Sequence, residues 1–163
     1  MDNNCPIRRR FWSSAWMFEI AMFAVASSLD RATKCWALAN LEPASAGDPL
    51  LSLGTFFNSG ISFSLMEGSP RAAVALSAAG LGLLTWGCIK SGILRPGTGI
   101  SLLWSGAVCN MADRLMYGHV VDWIRVVIYI NLADIWLCAG CAALAASLIW
   151  GRLPALRKPP GGE

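Results

Sequence analysis

Residues 72–89 run for 18 positions without a charged side chain, and that run decides which solvent the chain can fold in. As a helix it would rise about 27 Å, close to the hydrocarbon thickness of a bilayer. Pro70 precedes the run and Lys90 follows it, so it is bounded at both ends. Comparable apolar stretches recur, and membrane spans are expected over 16–38, 72–89, 99–116 and 131–150. Composition agrees: 55% of the chain is hydrophobic and 14% charged, against about a quarter charged in a soluble domain. Such a chain cannot cover its surface in water, and its 163 residues suit a single membrane domain.

The expected fold class is an all-α membrane protein of four transmembrane helices, with a small extracytoplasmic β-rich platform between the first two. That platform falls in 40–69, rich in Gly, Pro and Ser, whose later half mixes β-branched and aromatic residues with Gly54 and Gly60. On span four, Ala139, Ala143 and Ser147 form a small-residue row suited to close helix packing in lipid.

Lys and Arg in the connections set the orientation. One side holds Arg8, Arg9, Arg10, Lys90, Arg95, Arg152, Arg157 and Lys158; the other holds Arg31, Lys34, Arg71, Arg114 and Arg125 with most of the acids. Both termini, including the tail 151–163, are therefore expected in the cytoplasm, and the Asp-rich ends of spans one, three and four outside. The arginines before the first run invite reading it as a signal peptide. Its length, its Glu19 and the charged turn continuing it at helical spacing favour an uncleaved span. The net charge of +3 is modest, and no basic run is interleaved with exposed aromatics, so nucleic acid is not an expected partner.

Six cysteines are present, and Cys138-Ala139-Gly140-Cys141 is a lone CxxC inside a span, far in sequence from the sole histidine, His119. Zinc needs four ligands, or three and water. Packing is the expected role, with no metal and no cofactor.

Polar groups at membrane depth are costly and by default suggest function. They fall in four clusters. Asp30 and Lys34 stand at i, i+4 and can pair on one helix face. Asn58-Ser59-Gly60 closes the surface segment; Asn110 and Asp113 stand at i, i+3 with Arg114 beside them and Asp122 nine residues on; Asn131 and Asp134 repeat the Asn-x-x-Asp spacing. Any one cluster reads equally as a helix cap or an interhelical hydrogen bond. Structure alone does not require so many carboxylates at one depth.

The same residues carry a family resemblance. The stretches are Asp30-Arg31-Ala32-Thr33-Lys34, Asn58-Ser59-Gly60-Ile61-Ser62-Phe63-Ser64, Gly106-Ala107-Val108-Cys109-Asn110-Met111-Ala112-Asp113-Arg114, Gly118-His119-Val120-Val121-Asp122-Trp123-Ile124 and Asn131-Leu132-Ala133-Asp134. In that order and spacing the chain resembles the lipoprotein signal peptidases (signal peptidase II). It departs from the pattern where Ser62 replaces the usual alanine, Cys109 the usual glycine and Arg31 a common glutamine, and the link from Asp122 to Asn131 is short.

The resemblance implies a membrane aspartyl endopeptidase of the bacterial inner membrane, with Asp122 and Asp134 as its catalytic dyad near the outer face. It implies a prolipoprotein substrate carrying a diacylglyceryl cysteine, cut just before that cysteine, with membrane lipid as the other partner. Asp113 is the rival second acid, assigned with Arg114 to holding the site. Asn110 and Asn131 would orient carboxylates or substrate, Asn58 and Gly60 would contact substrate, and Asp30 and Lys34 would brace span one. The residues alone leave open a proton- or ion-coupled carrier, or an inert relative that binds prolipoproteins. Trp16, Trp36, Trp104 and Trp123 read as interfacial anchors or as an ordinary aromatic belt.

Overall fold

In the computed structural model, which describes residues 6–45, 47, 49–59, 69–95 and 97–156, four helices carry the chain. They are α1 (Pro6–Asn40), α2 (Pro70–Lys90), α3 (Ile100–Tyr117) and α4 (Leu132–Leu156). Three short strands accompany them: β1 (Ser52–Asn58), β2 (Val120–Arg125) and β3 (Tyr129–Ile130). Helix α1 starts well before position 16, and α4 continues past position 150.

The burial pattern is inverted relative to a protein folded in water. Asp30, Lys34, Asp113, Asp122 and Asn131 are fully enclosed, while Leu83, Trp86, Ile149 and Trp150 face outward. Large apolar side chains pointing out over polar groups packed inside is what lipid solvent demands, because only the interior offers hydrogen-bond partners. Among the described residues, α2 and the 132–150 part of α4 are each long and apolar enough to cross a membrane. Asp30, Arg31 and Lys34 of α1 meet Asn110 and Asp113 of α3 where those helices face each other.

Helix α3 is the axis of the bundle and packs against α1, α2 and α4. Its sequence permits this: Ser105, Gly106, Ala107 and Cys109 are small enough to be buried on several sides at once. Helix α2 buries only Ala73, Leu81 and Cys88, one stripe at seven- to eight-residue spacing, and turns the rest of its surface outward. Helix α1 is pinned by polar contacts: Ser27 Oγ lies 3.0 Å from Ser105 Oγ, and Trp136 Nε1 donates to the Ala26 carbonyl at 3.2 Å. Nearer its start, Glu19 Oε1 accepts the Gly97 N–H at 2.6 Å and ties the α2–α3 connection to α1.

The expected platform exists as a sheet, and it is not self-contained. Residues 40–59 supply one strand, β1, and its partners come from the segment after α3. The order is β1–β2–β3, antiparallel throughout, with Phe56 opposite Asp122 and Asn58 opposite Val120. Residues 60–68, including Gly60, lie outside the described residues. Gly118 makes the join between helix and sheet. At φ +77° it caps α3 in the left-handed region, which an L side chain enters at a cost, and its N–H closes on the Arg114 carbonyl. Asp122 therefore sits on a strand rather than in a turn, and the short link to Asn131 is a two-stranded hairpin.

Gly106 sets the spacing of α3 and α4. A Cβ there would stand 2.3 Å from the Ala133 carbonyl oxygen and 2.8 Å from Leu137 Cγ. Gly106→Ala is expected to cost about 1–3 kcal/mol through this overpacking, read as a lower Tm in detergent. Gly80→Ala on α2, where nothing lies within 4 Å, should leave the Tm unchanged or slightly raised.

Candidate functional site

The site begins at one turn of α1. Asp30 and Lys34, a turn apart, pair at 2.8 Å as their spacing predicts. The Lys34 ammonium donates to Asp113 Oδ2 at 2.8 Å and to Asn110 Oδ1 at 3.2 Å, and it pairs in charge with Asp30 Oδ2 at 2.8 Å. Lys34 is 1% exposed and both acids are 0% exposed. An ammonium so far from water persists only because two carboxylates and an amide oxygen surround it. Asp30 Oδ1 accepts the Ala133 N–H at 2.9 Å, which brings α1 to the first turn of α4.

From Lys34 the network runs through two asparagines to two carboxylates. Asn110, with its oxygen on Lys34, donates Nδ2 to Asp134 Oδ1 at 2.9 Å. Asn131 and Asp134 cap α4 reciprocally: Asp134 N–H donates to Asn131 Oδ1, and Asn131 N–H to Asp134 Oδ2, both at 3.1 Å. This is a capping box built from Asn-x-x-Asp. The remaining donor of Asn131, Nδ2, goes to Asp122 Oδ1, with Asn110 Oδ1 as a longer second acceptor at 3.4 Å. Asp122 Oδ2 accepts from Asn58 Nδ2 at 2.9 Å. Burial and the Asp134 charge push the Asp122 carboxyl up to about 7, against the pull of the Asn58 and Asn131 donors and the Lys34 charge.

The structure thus brings together Asp30, Lys34, Asn58, Asn110, Asp113, Asp122, Asn131 and Asp134. Asp113 takes its charge partners from α1: Lys34 on one oxygen and Arg31 on the other. Its sequence neighbour Arg114 turns the other way, donating Nη1 to the Asn110 carbonyl at 3.1 Å and lining the same cavity as Asp134. Arg31 was not among the expected site residues. The signal that could have found it is a second basic residue on the Lys34 face, at i, i+3 in an otherwise apolar helix.

Beside these groups lies a cavity of about 770 Å³ between α2, α3, α4 and the sheet. Asn58, Asn110, Arg114 and Asp134 give it a polar end, and Leu81, Leu84, Leu103 and Leu137 line its apolar length. Asp122, at 1% exposure, stands behind Asn58.

A helical membrane protein with carboxylates gathered at the polar end of an apolar cavity is the class that fold and site define together. The family described as signal peptidase (SPase) II matches residues 22–150. A lipoprotein signal peptidase from Rhodopseudomonas palustris is 34% identical over 154 residues, covering 83% of this chain and 93% of the relative. One from Clostridium novyi is 32% identical over 150 residues, covering 80% and 97%. A solved bacterial membrane enzyme shares the fold at a TM-score of 0.69 and 21% identity, over 89% of this chain and 94% of its own. The chain belongs to the signal peptidase II family.

The network makes Lys34 the most costly side chain to lose. Lys34→Met would leave Asp30 without its cation and Asp113 on Arg31 alone, and should cost about 3–5 kcal/mol. A thermal melt in detergent checks this, with Lys90→Met, at the exposed end of α2, as the silent comparison.

Proposed function

We propose that the chain is a membrane-embedded aspartic endopeptidase that removes signal peptides from diacylglyceryl-modified prolipoproteins, with Asp122 and Asp134 as its catalytic pair. Membership of the signal peptidase II family makes it a protease of lipoprotein processing. The observation that carries the choice of acids is their convergence on Asn131. Its side chain holds Asp122 and its backbone N–H holds Asp134. Both oxygens of Asp113, by contrast, are held by cations, Lys34 and Arg31, whereas the partners of Asp122 and Asp134 are neutral amides.

Two carboxyls this close ionise together only at high cost, so one proton is shared between them. The ionised member takes a proton from water as the water oxygen attacks the scissile carbonyl. The protonated member gives its proton to the carbonyl oxygen. Collapse of the tetrahedral intermediate breaks the C–N bond just before the lipid-modified cysteine; the departing amine takes up the proton held by the first carboxyl, and one hydroxyl of the intermediate returns its proton to the second. Asn58 contacts the substrate backbone by giving up its bond to Asp122, which opens that carboxyl to the cavity. Asp113, Arg114, Asn110, Asn131, Asp30 and Lys34 hold the geometry, and Gly60 is a further substrate contact.

All four helices cross the bacterial inner membrane in this reading, with both termini cytoplasmic and the sheet at the outer face. The signal helix enters the apolar cavity among the spans while the acyl chains stay in the bilayer. The basic residues on one side of the chain support that orientation.

Incubation of the purified protein with a diacylglyceryl-modified prolipoprotein tests the assignment. Asp122→Asn and Asp134→Asn should each lower cleavage by about 10²–10⁴-fold without a fall in Tm, whereas Asp113→Asn should lose activity together with stability. Cleavage that survives both of the first two substitutions would sink the pair.

The rate should also depend on pH in a set direction. With Asp122 pushed up to about 7, the shared proton is held below that pH, and kcat falls as pH rises through it. Stability follows the same sign. A folded pKa above the ordinary 3.8 means the native state binds the extra proton, so stability declines from about pH 4 to about 7 and is level beyond. Melts across that range, compared with Asp122→Asn, check the slope.

A further inference from the structure

Arg31 is the member of the site that the chemistry above does not use. Its guanidinium pairs with Asp113 Oδ1, and its Cζ lies 6.0 Å from the ring centre of Tyr117, one turn further along α3. Two groups on one turn of α3 therefore hold a cation that projects from α1. The side chain is 40% exposed, so it reaches a buried acid from the solvent side.

Charge counting gives this pairing a consequence. Asp30 and Asp113 carry two negative charges, and Lys34 and Arg31 carry two positive ones. Without Arg31 the Lys34 ammonium alone would face both acids, and the cluster would hold a net negative charge. That cluster is one residue away from Asp134, through Asn110, and Lys34 acts electrostatically on Asp122. The groups facing the Arg31–Asp113 pair are Asp30 and Lys34 from α1 and Tyr117 from α3, with the Arg114 charge acting on Asp113 from its far side. His119, stacked edge-on against Phe57, lies 6.5 Å from the Tyr117 ring. An added negative charge among them opposes ionisation of the catalytic carboxyls.

We propose that Arg31 is a positioning residue: by pairing with Asp113 it keeps the Asp30–Lys34–Asp113 cluster neutral, and so sets the pH range over which the catalytic pair keeps its proton. The inference rests on Asp122 and Asp134 being that pair. It also gives this chain a more acidic working range than a neutral residue at position 31 would allow. Lys34, freed from balancing two acids alone, keeps its bond to Asn110, and Asn110 keeps its amide on Asp134.

Two measurements on the full-length protein in detergent test it, one of which needs no turnover. In the first, the pH profile of kcat is compared among wild type, Arg31→Gln and Arg31→Lys. Arg31→Gln should move the alkaline limb up by about half a pH unit, a size discounted for solvent screening, with KM unchanged. Arg31→Lys, which keeps the charge, should leave the limb in place. The second follows the infrared band of a protonated carboxyl that is missing from Asp122→Asn, and titrates it in the same three proteins. Its midpoint should shift as the limb does. A midpoint identical in wild type and Arg31→Gln overturns the inference, as does a fall in Tm or kcat shared by both variants with no shift. If wild type cleaves nothing, the proposed function fails while the band titration still decides the role of Arg31.

Discussion

Everything in this molecule depends on an ammonium that has no water. Lys34 is enclosed between α1 and α3, donating to Asp113 and Asn110 and paired in charge with Asp30. Taking such a charge out of water is repaid only when geometry is complete, so the interaction fixes more than two side chains. It sets the rotation of α1 against α3, and through Asp30 and the Ala133 N–H it sets the height of α4. The apolar surfaces of these helices supply much packing and little register, since lipid is as good a neighbour for leucine as another leucine is. The polar core provides the register.

Asn131 shows how one local motif serves two levels of organisation. Within α4 it is an ordinary cap, exchanging hydrogen bonds with Asp134 and satisfying N–H groups that the first turn leaves open. Across the fold its free amide protons reach Asp122 on a strand that arrives from α3. The carboxylate in the first turn of α4 is thereby linked to the carboxylate on β2. Asn-x-x-Asp is a cap, and in the proposed function the cap is what holds Asp134 still.

What was legible in the sequence was what short-range spacing encodes. The Asp30–Lys34 pair follows from one helical turn, the apolar runs at 72–89 and 131–150 from bilayer thickness, and the two Asn-x-x-Asp units from their shared period. What was hidden is contact between distant segments. Nothing local says that Asn58 will lie opposite Val120, or that the platform needs strands from beyond α3 to be a sheet. Strand pairing of this kind depends on how α1 and α3 deliver the segments. The partner of Asp113 was hidden for the same reason: adjacency pointed to Arg114, but successive residues on a helix point about 100° apart, and the cations that reach Asp113 belong to α1. Order and spacing of five short motifs carried the family, and the match over 22–150 bears it out.

The central claim is that Asp122 and Asp134 behave as one electrostatic unit, held together through Asn131. Asp-specific carbon-13 labelling of the carboxyl carbons, with assignment by substitution, would follow each group through a pH titration. The account predicts that Asp122 titrates near 7 in the wild type and at clearly lower pH in Asp134→Asn, where its neighbour's charge is gone. An Asp122 midpoint that is the same in both proteins would contradict it.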